Sequence, residues 1–94
     1  MARAVFNGTV VAESDIFEVV ERNVYFPPNS LKRDCFRPSD HTTVCSWKGT
    51  ANYYSVEADG ERAENAAWTY HDPKPKAANI KDYVAFYPIV TVEH

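Results

Sequence analysis

Ninety-four residues make one domain, 1–94, with room for a single core and none for a separate substrate domain. A formal charge of −3 and a pI near 5.5 argue against nucleic acid, because phosphate-driven binding needs a concentrated Lys/Arg surface. The only basic cluster, Lys74, Lys76 and Lys81, is diluted by Asp72 and Asp82.

In chain order, "RAVFNGTVVAE" is the strongest local signal. Asn7-Gly8 accepts the positive φ angles of a two-residue type I′ turn, so Arg3–Phe6 and Thr9–Glu13 are expected to form a hairpin. In "IFEVVERNVYF", Phe17, Val19 and Glu21 alternate with Glu18, Val20 and Arg22, the pattern of a half-buried strand; a short helix capped by Ser14 or Asp15 is the alternative. The stretch "FPPNSLKRDCFRPSD" carries Pro27, Pro28 and Pro38, whose missing N–H groups disfavour a central strand, and it reads as a connecting excursion with one helical turn.

Thr42–Trp47 alternates as a strand, with Cys45 and Trp47 on one face and Ser46 and Lys48 on the other, broken by a bulge at Lys48-Gly49. A second hairpin is expected for Ala51–Glu57 and Arg62–Tyr70, turning at Asp59-Gly60. "HDPKPKAANIKD" reads as a loop with a single helical turn, and Tyr83–Val92 as a long final strand. The sum is an all-β domain of antiparallel, barrel-like sheets with at most one or two short helical turns.

No apolar run approaches the roughly 20 residues of a membrane helix, and "MARAVFNG" lacks the apolar core of a signal peptide. A cytoplasmic location is expected, with neither membrane nor nucleic acid as partner. In a reducing compartment Cys35 and Cys45 are expected as free thiols. Cys35, His41, Cys45 and His71 are too widely spaced for a structural zinc site, so no metal or cofactor is expected.

The segments "YFP", "TTVCSWKGTANYYSV", "AAWTYHDP" and "IKDYVAFYP", in this order, resemble domain-of-unknown-function family 427. The resemblance covers nearly the whole chain and implies a β-tent-like all-β fold with no established activity. Its pattern falls on Glu21, Tyr25, Pro27, Thr42, Cys45, Lys48, Gly49, Ala51, Tyr53, Trp68, Tyr70, Pro73, Phe86 and Tyr87. Ser46 departs from it, since the family usually has proline after the cysteine. The family is also labelled nucleotidyltransferase-like, but the nearest carboxylates, Glu57, Asp59 and Glu61, flank a turn, and no phosphate-cradling glycine loop occurs.

Three functions remain open. The first is a small-molecule module with an aromatic cleft walled by Tyr25, Tyr53, Trp68 and Tyr70, anchored by Lys48 and Glu21. The second is a cysteine-dependent enzyme in which Lys48 activates Cys45. The third is an interaction domain; the chain is expected as a monomer or a weak homodimer. In the favoured reading the Lys48 ammonium approaches Glu21 or a tyrosine hydroxyl at the mouth of the cleft, and Gly49 permits the turn that aims it there.

Overall fold

The computed structural model describes residues 1–94. Nine strands form three antiparallel sheets: β1 Ala2–Phe6, β2 Thr9–Ser14, β3 Glu18–Val20, β4 Asn23–Tyr25, β5 Phe36–Cys45, β6 Gly49–Ala58, β7 Glu61–Thr69, β8 Val84–Phe86 and β9 Thr91–Glu93. The sheets run β2-β1-β9, β3-β4 and β5-β6-β7-β8. Three short 3-10 segments, Pro28–Ser30, Arg33–Cys35 and Pro75–Ile80, are the only helical structure. The all-β antiparallel architecture read from the sequence is thus the one observed, with three short 3-10 segments where at most one or two helical turns were expected.

Both glycine-containing hairpin tips form as read: Asn7 and Gly8 join β1 to β2, and Asp59 and Gly60 join β6 to β7, all four with positive φ. The Asn7 side chain donates to the carbonyl oxygens of Ala58 and Asp59, at 3.0 and 3.3 Å, tying one tip to the other. Val11 is an extra residue opposite β1, so Val11 and Ala12 are both buried, where simple alternation would expose one of them.

Four expectations need correction. The presumed strand Phe17–Arg22 is a tight hairpin, β3 to β4, turning at Glu21-Arg22 with φ +53° and +69°. Neither residue type favours that region, so the turn was invisible to turn chemistry. The excursion holding Pro38 turns into β5 at Phe36; β5 tolerates Pro38 because it is the edge of its sheet, and it bulges between Pro38 and Thr42. The strand and bulge proposed for "CSWKG" is a hairpin in which Cys45 pairs with Gly49 and Ser46, Trp47 and Lys48 form the loop. The long final strand is cut at Pro88, β8 joining the four-stranded sheet and β9 pairing with β1.

The single core expected is divided in two by the four-stranded sheet. Successive residues of a strand point to opposite faces: in β8, Val84 and Phe86 enter one cluster and Ala85 the other, so all three are buried. Likewise Val24 and Phe26 enter the first cluster and Tyr25, between them, the second. The larger cluster lies against β1 and β2; the smaller joins Tyr25, Tyr53 and Tyr70 to Ala77 and Ile80 of the 3-10 segment.

Candidate functional site

The β3–β4 turn and the β5–β6 loop meet at the rim of the smaller cluster. Lys48, the last loop residue, is 6% exposed, and its ammonium donates to Glu21 Oε1. Trp47 Nε1 donates to Glu21 Oε2 at 3.2 Å, so one carboxylate is held by two successive loop residues. The ammonium lies 5.4 Å from the Trp47 ring centroid and 5.6 Å from that of Tyr70, within cation–π range of both. Glu21 keeps half its side chain exposed, at 51%, and is the face this group offers to solvent.

Gly49 holds the loop in place. Its φ of +112° suits glycine, and an added Cβ would stand 3.4 Å from the Asp72 carbonyl oxygen and 3.7 Å from the Lys74 nitrogen. That close approach lets Lys74 N–H donate to the Lys48 carbonyl at 2.9 Å, while Lys74 Nζ reaches the Ser46 carbonyl at 2.7 Å. The Gly49 expected to aim Lys48 therefore acts by admitting a neighbouring strap.

The charges reinforce one another. Hydrogen bonds from Lys48 and then Trp47 hold the Glu21 carboxyl below its ordinary value. For Lys48 burial opposes the charge, but the bond to Glu21 and the nearby Tyr25, Tyr70 and Cys45 outweigh it and the ammonium is held more tightly than usual. Burial pushes the Tyr70 hydroxyl up to about 12, against the pull of Lys48, and raises Tyr25 as well. At neutral pH the site is an ammonium, a carboxylate and two un-ionised phenols.

Of the residues singled out in the sequence, Glu21, Lys48 and Tyr70 come together, and Tyr25 stands behind them, fully buried, its hydroxyl accepting from Trp68 Nε1 at 3.1 Å. Tyr53 lies elsewhere, bonded to Thr43 Oγ1 at 3.0 Å and Tyr87 at 3.3 Å, with His41 packed on its ring at 4.6 Å. The expected cleft walls Tyr25, Tyr53 and Tyr70 are core, because a chain of this size fills its second layer with large side chains. Cys45 is a free, half-buried thiol packed against this cluster, and the nearby ammonium bonds to Glu21 instead. Cys35 is free and buried in the other cluster. No three His, Cys, Asp or Glu side chains converge as metal ligands would.

Trp47 is not among the expected site residues, since strand alternation sets it on one face with Cys45 and opposite Lys48; it stands on the loop, 37% exposed, and only its adjacency to Lys48 hinted at a role. The largest concavity, of about 520 Å³, opens on the Arg22 side of the β3–β4 turn, and of the residues singled out for the site only Trp68 lines it. No helix is long and apolar enough to cross a membrane.

Comparison with curated proteins gives no match. The arrangement of Glu21, Lys48, Gly49 and Tyr70 instead sits within a match that runs from residue 1 to residue 94, and the chain belongs to the family described as a domain of unknown function, DUF427.

Proposed function

We propose that this domain binds a small anionic molecule, with Lys48 as the charge partner, Glu21 as the displaceable second anchor, and Trp47 and Tyr70 as the flanking rings. The observation that carries the reading is an ammonium withdrawn from water whose one carboxylate partner is half exposed and sits on a turn of two left-handed, non-glycine residues. Such backbone costs on the order of 1–3 kcal/mol per residue and persists where something else holds it. A ligand carboxylate taking the place of the Glu21 carboxylate would keep the ammonium paired and release the turn. A thiol chemistry at Cys45 gains no comparable support, since no base or cation is hydrogen-bonded to the sulfur.

The test is titration of the labelled protein with acetate, read at the Trp47 indole N–H resonance. Glu21→Asn removes the competing carboxylate while suiting positive φ, so acetate should bind that variant more tightly than the parent, and Lys48→Met should bind it in neither background. A Trp47 signal that acetate leaves in place in all of these proteins would sink the proposal.

A further inference from the structure

The concavity across the turn from Lys48 has its own chemistry. Its floor is apolar, built from Val24, Phe86 and Val90, all buried. Its wall is an aromatic pair, Trp68 and Tyr87, with ring centroids 4.8 Å apart and planes tilted by 57°. The Trp68 N–H is already given to Tyr25, so the indole offers this space its ring and not a donor. Tyr87 is 45% exposed, a large aromatic face left in water. At the edge stands Arg22, exposed and engaged in no ion pair, while Arg3, Arg37, Arg62 and Lys48 each have a carboxylate. No aspartate or glutamate lines the space, although acidic side chains outnumber basic ones in the chain, 13 to 10.

We infer that this cleft is a binding site for a planar aromatic carboxylate, with the ring against Trp68 and Tyr87 and the carboxylate on the Arg22 guanidinium. The volume of about 520 Å³ falls within the ordinary range of small-molecule sites. Ring stacking rewards a flat apolar body, and the planar guanidinium fork matches the two oxygens of a carboxylate. The absence of aspartate and glutamate side chains from the lining removes the side-chain repulsion such a ligand would otherwise meet. This site is separate from the Lys48 group and does not rest on it: Glu21 faces Lys48, and Arg22, the next residue of the same turn, lines the cleft.

The two tryptophans make the sites separately visible. Benzoate added to the full chain should move the Trp68 indole resonance, and it should do so equally in Lys48→Met, where no carboxylate can take the place of Glu21 beside Trp47. Cyclohexanecarboxylate, equally charged but not flat, and benzamide, flat but uncharged, should each bind more weakly. Arg22→Asn, which suits the positive φ of the turn and so preserves the fold, should weaken benzoate about tenfold, the usual worth of one charge-assisted hydrogen bond, and Arg22→Lys should restore part of it. The inference is overturned if benzoate moves Trp47 rather than Trp68, if Arg22→Asn binds it as well as the parent, if the non-planar acid binds equally, or if millimolar benzoate moves neither signal.

Discussion

The two faces of the four-stranded sheet are packed with different chemistry. Against β1 and β2 lie Phe6, Phe26, Phe36 and Phe86 with Val and Ala, and no tyrosine is fully buried there. On the opposite face the buried aromatics are Tyr25, Tyr53 and Tyr70, and not one is phenylalanine. The first face stabilises by area alone. The second stabilises by area but must also satisfy hydroxyls, and it ends at a buried ammonium. A core can thus divide its labour: one layer secures the sheet by apolar burial while the other carries polar groups at fixed positions.

The comparison breaks most severely on the apolar face. Phe26 is fully buried and packs edge-on against Phe86 at 5.7 Å, so Phe26→Ala should cost about 3–5 kcal/mol in denaturant unfolding. On the hydroxyl face, Tyr25→Phe conserves volume but leaves the Trp68 N–H without its acceptor. A loss of about 1–3 kcal/mol is expected, and a neutral result would show that the hydroxyl layer behaves like the phenylalanine layer.

Smaller still is the effect at the ion pair, where the two partners should differ. Lys48→Met lets the half-exposed Glu21 return to water and should be close to neutral, whereas Glu21→Asn strands a buried charge and should lower the unfolding midpoint further. The reverse order would show that Lys48 is better solvated than its burial indicates.

The faces should also separate at high pH. Because Tyr70, Tyr25 and Lys48 bind their protons more tightly in the folded chain, unfolding releases protons as the solution becomes alkaline. Stability is therefore fully present below about pH 10 and falls as the pH rises toward 12. Tyr70→Phe should flatten that fall, and Phe36→Leu, on the other face, should leave its slope alone. Glu21 acts at the opposite end: with its carboxyl held low, its contribution is present above the ordinary carboxylate range and fades as the pH drops through the lowered value.

What could be read in the sequence followed local chemistry. Asn7-Gly8 and Asp59-Gly60 announce their turns because their backbone preferences match the geometry required. Glu21-Arg22 turns just as tightly against its preferences, held by Lys48 and Trp47, which lie far along the chain. The same limit hid the end of the last strand: Pro88 signals a break, but not that Thr91–Glu93 would cross to a different sheet. Lys48 and Tyr87 stood out through the family pattern around them, while Arg22, which supplies the charge at the edge of the cleft, carries no spacing that would set it apart. The cleft arises from where β4, β7 and the segment after β8 come to lie, and no single segment encodes it.

The pairing of β9 with β1 has a kinetic consequence. Arg3 opposite Glu93 closes nearly the whole chain into one loop, and the strand gained is only three residues long. Closure entropy grows with the length of chain enclosed, so this contact is the slowest to be rewarded during folding and the first to open afterwards. Thr91 and Val92 line the cleft, which means that one of its walls hangs on the latest-formed seam. Amide exchange should accordingly be faster along β9 than along β6 and β7, and the seam would open and close many times within the life of each folded molecule.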